Sequence, residues 1–261
     1  MNNIIVNFEN TVATVTLNRP EVHNAFNAEM IGELTATFKD ISSYESISTV
    51  ILKANGKNFC AGGDLNWMKE AANYDHAKNV ADAECLADML LALYSIPQTT
   101  ICCTHGAVYG GGVGIVSACD IAIGLNSTKF CLSEVKLGLI PAVISPYVIE
   151  ATSPRMAKRL FTTAEICSAD VANRIGLLQN VYVDNNDLQA SLDGILENLS
   201  NNAPLAKMAA KLLVETFKNK QIGLKTASQS ARIIADTREG DEAKEGITAF
   251  LEKRDPSWRK E

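Results

Sequence analysis

Apolar runs with the period of strands alternate with apolar stripes that have the period of helices along the first part of this chain. "VATVTL" sets Ala13, Val15 and Leu17 on one face, and with residues 3–8 it forms a predicted hairpin. A polar loop, "NRPEVHNAFN", leads to a helix in which Asn27 is the N-cap and Ile31, Leu34, Phe38 and Ile41 make one stripe. "STVILKA" is a buried strand candidate, a helix spans about 76–95 and stops before Pro97, and "TTICCT" is the next strand. "DIAIGL" and "KFCL" are short strands around Asn126 and Ser127. Alternation in this order points to an α/β fold in which one unit recurs structurally, although no repeat shows in the residues themselves.

From Pro154 the pattern turns mostly helical: "SPRMAKRLF", then "SADVANRIG" with Ser168 as N-cap and Gly176 past the end. "LLQNVYV" is a last strand, and helices follow over about 187–200, 204–218, 224–237 and 240–253. No Ser/Gly-rich linker parts the halves. The expectation is one continuous α/β core over residues 1–200 with a helical C-terminal region over 201–261.

A chain of 261 residues can bury a substantial core. Its formal net charge of −6 argues against nonspecific binding to nucleic acid or to anionic membrane. No run of about 18 uncharged apolar residues could span a bilayer, and the first residues alternate like strands rather than like a signal peptide. Seven cysteines lie scattered, several in apolar runs, which fits reduced thiols and a cytoplasmic protein. No CxxC or HExxH spacing marks a metal site.

Two glycine loops carry the chemistry. "THGAVYGGGVGIVSACD", residues 104–120, holds Gly110, Gly111, Gly112 and Gly114, and "CAGGDL" holds Gly62 and Gly63. The dinucleotide fingerprint fails, because Ile115 stands where it needs Gly or Ala. A P-loop fails at Ile51, and no GxSxG elbow exists. What remains is an anion site made of backbone: a strand that ends in glycines and opens a helix exposes N–H groups at the positive end of the helix dipole. Glycine is expected there so that a substrate carbonyl can approach closely. Two such loops could converge on one oxygen, or each could be a tight turn packed against its neighbours.

Five ordered segments resemble the crotonase superfamily, the enoyl-CoA hydratase/isomerase family: "VTLNRPEVHNAFN", "FCAGGDLNWM", "HGAVYGGGVGIVSACDIAIG", "KFCLSEVKLGLIP" and "AFLEKRDPSW". The resemblance implies a ββα spiral core with a helical C-terminal trimerisation region, assembled as a homotrimer or a dimer of trimers. It implies an acyl-CoA thioester as substrate, so coenzyme A arrives with the substrate and no separate cofactor or metal is expected. The thioester oxygen would take hydrogen bonds from the N–H groups of Gly63 and Gly111. Val22, Ala25, Ala61, Asp64 and Leu65 would line the coenzyme A channel, and Phe250 and Lys253 would meet the nucleotide and its phosphate.

Hydratases of this family use two glutamates. One matches Glu134; the other should stand where this chain has Gly114. Three accounts stay open: Glu134 alone handles both water and the α-proton; one carboxylate shuttles a proton between C2 and C4, as in an isomerase; or another group serves, with Tyr109, His105, Glu84 or a water above Gly114 as candidates. An inactive acyl-CoA-binding subunit is the reading from another class. "PAVISPYVIE" replaces a glycine-rich stretch of many members and resembles the methylglutaconyl-CoA hydratase branch of leucine or isoprenoid breakdown. The distal carboxylate of such a substrate would want a cation, with Lys69, Lys136 and Arg155 as candidates, and Trp67 could floor the acyl pocket.

Overall fold

The computed structural model describes residues 2–259. Nine strands are present among them: β1 (Ile4–Glu9), β2 (Val12–Leu17), β3 (Thr49–Ala54), β4 (Thr99–Thr104), β5 (Ala107–Tyr109), β6 (Ile121–Leu125), β7 (Lys129–Cys131), β8 (Cys167–Ser168) and β9 (Asn180–Tyr182). The helices of the first part are α1 (Ala28–Ser42), α2 (Leu65–Ala71), α3 (His76–Ser95), α4 (Gly111–Ala118), α5 (Ser145–Ala151), α6 (Pro154–Thr163) and α7 (Ala169–Arg174). After them come α8 (Asn185–Ser200), α9 (Pro204–Phe217), α10 (Leu224–Glu239) and α11 (Asp241–Glu252). The chain divides into two compact units, one running to Gln189 and the other beginning at Ala190.

In the first unit a six-stranded sheet has the order β1-β2-β3-β4-β6-β9, and a three-stranded sheet has the order β5-β7-β8. β1 and β2 form the antiparallel hairpin, with Val6 opposite Val15, and every later pairing in the large sheet is parallel. Parallel neighbours need long crossovers, which is what the alternation of strand and helix supplies. The hairpin strand β2 buries Ala13, Val15 and Leu17 on its inner face, as its alternation predicts. Strand β3 buries Thr49 to Leu52 continuously, as expected for a strand covered on both faces.

Helix α1 begins where Asn27 accepts the N–H of Met30 at 2.9 Å, and its buried stripe is Met30, Ile31, Leu34, Phe38 and Ile41. That cap removes an otherwise unmatched donor and contributes about 1 kcal/mol. Helix α3 spans His76–Ser95 and packs on α1, ending just before Pro97. Ser168 caps α7 by accepting from Val171, and Gly176 follows in the left-handed region at φ 90°.

Three elements were not expected from the pattern. Strand β5 intervenes between β4 and the glycine loop, β8 is a two-residue strand, and α5 forms within "PAVISPYVIE" with a proline in its first turn. All seven cysteines are free, and Cys85 is exposed on α3 rather than in the core. Among the described residues, no helix is long and apolar enough to cross a membrane.

Candidate active site

The two glycine loops meet. Strand β5 ends at Tyr109, Gly110 turns the chain at φ 51°, and α4 starts at Gly111. Beside it, Cys60 bridges Val108 in parallel, and the Tyr109 N–H donates to the Cys60 carbonyl at 2.8 Å. The Cys60 thiol lies under both loops: its S–H donates to the Gly62 carbonyl at 3.8 Å, its side chain packs against Gly112, and burial pushes its pKa up to about 12. It is therefore a neutral packing thiol that ties the loops together, not a nucleophile.

Glycine at these positions has a different cause from the one the sequence implies. A Cβ at Gly111 would meet the Phe26 ring at 2.8 Å, one at Gly112 would meet Cys60 Cβ at 2.8 Å, and one at Gly114 would meet Ile144 Cγ2 at 2.5 Å. Protein atoms already occupy all three places, so Gly111, Gly112 and Gly114 reflect close packing of α4 on its neighbours. Gly63 matches the open-approach expectation, since a Cβ there would make only ordinary contacts with Met68 and Trp67, whereas Gly62 and Gly110 answer to positive φ values of 102° and 51°.

Two backbone donors stay available. Phe26 pairs in parallel with Gly63: its N–H donates to the Gly62 carbonyl and its carbonyl accepts from Asp64, both at 2.8 Å. In such a ladder the flanking residues face the partner, so the N–H of Gly63 points to the other side. Gly111 is the first residue of α4, whose first-turn N–H groups have no partner inside the helix. Among the described residues, neither the Gly63 N–H nor the Gly111 N–H has a backbone acceptor outside its own element.

Glu134 opens a 3-10 turn, Glu134–Leu137, directly after Ser133. Its Oε1 lies 3.4 Å from the place where a Cβ on Gly110 would stand, so the carboxyl group sits against the glycine loop. Its Oε2 is buried without a hydrogen-bond partner. Burial raises its pKa above the ordinary carboxylate range, and a bond to its own backbone N–H offsets this only in part. A desolvated carboxyl group with a free oxygen is suited to exchanging a proton with a bound substrate or water.

Gly63, Gly111 and Glu134 all line one cavity of about 570 Å³. Its wall is otherwise mostly apolar, including Phe26, Trp67, Met68, Leu86, Ile140 and Ile144, and Glu134 is its one charged residue among those described. Trp67 does form part of the pocket, held by its indole N–H donating to Asp82 at 3.0 Å. Ala61 and Leu65 line it as well, and Leu65 is strongly exposed at the mouth.

The remaining expected residues sit elsewhere. Val22 and Ala25 belong to the loop before α1 and lie outside the cavity wall. Asp64 is buried beside Gly63 and acts locally. One of its oxygens caps α2 through the N–H of Asn66 at 2.8 Å, and the other pairs with Arg19 at 2.9 Å. Arg19 also donates to the Ala25 carbonyl at 2.6 Å, so this ion pair joins the loop before α1 to the Gly63 loop. Phe250 and Lys253 are in the second compact unit, where Phe250 is 82 % exposed on α11 and Lys253 closes that helix in the left-handed region at φ 56°.

The stand-ins for a second carboxylate are not brought to the cavity. His105 Nε2 is 3.0 Å from the Gly56 carbonyl, Glu84 is exposed on α3, and neither these nor Tyr109 line the wall. Beside Gly114 it is the Ile144 side chain that stands where a side chain at that position would begin. Lys69, Lys136 and Arg155 are exposed and outside the lining. Sequence reasoning missed Phe26 and Ile144, whose importance lies in what they touch. Among the described residues, no three His, Cys, Asp or Glu side chains gather as a metal site would require.

Comparison with known proteins agrees with this geometry. The chain is 39% identical to the solved structure of an enoyl-CoA hydratase from Shewanella pealeana, with a TM-score of 0.94, covering 98% of this chain and 96% of that one. It is 32% identical to an enoyl-CoA hydratase of Alternaria alternata over 92% of this chain and 78% of the relative. A trans-2-decenoyl-acyl-carrier-protein isomerase of Streptococcus mutans is 30% identical over 98% of this chain and 97% of its own length. The model of the enoyl-CoA hydratase/isomerase family matches residues 7–261, and with two glycine loops and one half-buried glutamate around a shared cavity, the chain belongs to that family.

Proposed function

We propose that this protein is an enoyl-CoA hydratase that adds water to a 2-enoyl-CoA thioester using Glu134 as its single acid–base group. The observation that carries the reading is the unpartnered Glu134 Oε2 in a cavity that also presents Gly63 and Gly111. The thioester oxygen takes the two N–H groups. Ionised Glu134 accepts a proton from water as the oxygen of that water bonds to C3. The C2–C3 electron pair moves to the thioester oxygen as an enolate, and Glu134 then returns the proton to C2. Each donor aimed at that oxygen contributes roughly 3–4 kcal/mol in the transition state.

A second reading rests on the same carboxyl group. With one glutamate at the wall, removal of a proton at C2 and its return at C4 would make an isomerase, the activity named for the Streptococcus mutans relative. The finer substrate reading, 3-methylglutaconyl-CoA in leucine or isoprenoid breakdown, rests on the "PAVISPYVIE" segment. Its distal carboxylate would meet a wall without Lys or Arg, so we place it after apolar acyl groups.

A panel of crotonyl-, 3-methylcrotonyl-, 3-methylglutaconyl- and 3-enoyl-CoA decides, read by the absorbance of the conjugated thioester. Turnover of 2-enoyl substrates is expected. Turnover of the 3-enoyl compound alone would establish the isomerase, and binding without any turnover would establish an acyl-CoA-binding subunit.

The second unit exposes Leu212, Val214, Ile222, Leu224 and Phe250, an amount of apolar surface that fits burial against further copies. We place the protein as a homotrimer or dimer of trimers in the cytoplasm, with its thiols reduced.

A further inference from the structure

The two donors come from separate loops, and an oxyanion site works only if their spacing is held. Phe26 is the residue that touches both. Its backbone pairs with the Gly63 segment through the two 2.8 Å hydrogen bonds to Gly62 and Asp64. The Cδ2 and Cε2 edge of its ring lies 2.8 and 2.9 Å from where a Cβ on Gly111 would stand, so ring and helix start are in direct contact. The side chain is 2% exposed, and it also lines the cavity. Its own position is fixed from behind: Arg19 donates to the Ala25 carbonyl, and Asn24 donates to the carbonyls of Asn55 and Asn58 at 2.8 and 2.9 Å.

Cys60 ties the loops on the buried side, but through Gly62 and Gly112 rather than through the donors themselves. A rigid aromatic ring between a strand-like backbone and a helix terminus acts as a spacer, since close-packed interiors transmit small displacements instead of absorbing them. We infer that Phe26 is a positioning residue that sets the separation of the Gly63 and Gly111 N–H groups, and through it the polarisation of the bound thioester. This rests on the oxyanion reading given above.

The test separates the two. Binding of saturated butyryl-CoA to the full-length protein is followed by isotope-edited infrared difference spectroscopy of the thioester carbonyl. The wild-type protein is expected to shift the stretch to lower frequency; no shift would overturn the oxyanion reading itself. Phe26→Ala is expected to return the stretch toward its free value. It should also lower kcat on the order of 10²-fold, as an ångström-scale misplacement can, with KM changed far less. Phe26→Leu and Phe26→Met keep apolar bulk against Gly111, should fold where Phe26→Ala fails, and should recover most of both signals. A Phe26 that served only the core would lower Tm while leaving the carbonyl stretch and kcat as in the wild type, and that result overturns the inference.

Discussion

The packing of Gly114 against Ile144 gives the sharpest prediction. A methyl group added at Gly114 would stand 2.5 Å from Ile144 Cγ2, 3.1 Å from Ile144 Cβ and 3.3 Å from Leu90 Cδ1, where about 4 Å is comfortable. Gly114 lies inside α4 and is not among the residues with positive φ, so alanine there gains about 1 kcal/mol of helix propensity. Overpacking costs about 1–3 kcal/mol against that gain. Ile144 is 3% exposed, and Ile144→Ala costs about 2–5 kcal/mol by leaving a cavity. In the double variant the new methyl enters the vacated space. The pair is therefore expected to cost no more than Ile144→Ala alone, a coupling of about 1–3 kcal/mol.

Urea or thermal unfolding of the four proteins at one fixed concentration measures this, with about 2–4 °C in Tm per kcal/mol. Effects that add to within about 0.5 kcal/mol would refute the contact. The same contact predicts that Gly114→Glu, which returns a carboxylate to its family position, gives no gain in hydration while Ile144 is present. A gain in activity from Gly114→Glu alone would show that the space is open after all.

Glu134→Gln removes the only charge on the described cavity wall, and general acid–base catalysis of about 10²–10⁴-fold is expected to go with it, measured as kcat on the best panel substrate. Because burial raises the pKa of Glu134, its contribution to stability is present below its unfolded pKa and is lost as pH rises through the folded value. Glu134→Gln should then leave Tm equal or higher near pH 7, and the acid limb of wild-type kcat/KM should lie above the ordinary carboxylate range; a large fall in Tm would contradict this account. For Asp64, burial alone would raise the pKa, but the N–H of Asn66 and the Arg19 guanidinium hold it below the usual value. That stability is present above the unfolded pKa and lost as pH falls through the depressed folded value, so the Tm gap between wild type and Asp64→Asn should narrow in acid. Asp64→Ala leaves the half-buried Arg19 without its carboxylate and removes the α2 cap, at a cost of about 1–3 kcal/mol; a loss under about 0.5 kcal/mol would place the pair in solvent.

The local rules carried far in this chain. Alternation located β2, a one-sided stripe located α1, and the side-chain oxygens of Asn27 and Ser168 marked where two helices begin. These features depend on neighbours a few residues away, so sequence spacing is enough to find them. Glu134 was legible for a similar reason, as an acid between apolar runs on a segment that resembles a known family.

Strand β5 escaped detection because three residues cannot establish a period; it exists through pairing with β7 and the bridge from Cys60. Helix α5 escaped because Pro146, permitted in a first helical turn, resembles loop punctuation when read alone. The glycines of residues 110–114 show the division clearly. Their clustering announced a backbone site, and Gly114 announced a missing acid. Only the folded chain shows that Phe26, Cys60 and Ile144 fill the places of the absent side chains, because volume is shared between residues that sequence order keeps far apart. The sequence alone pointed to the family, to most of the strands and helices in their order, and to Glu134 as the candidate carboxylate. Tertiary packing decided that Ile144 fills the place beside Gly114 where the family's second carboxylate would begin, since close-packed interiors leave no space for two side chains in one place.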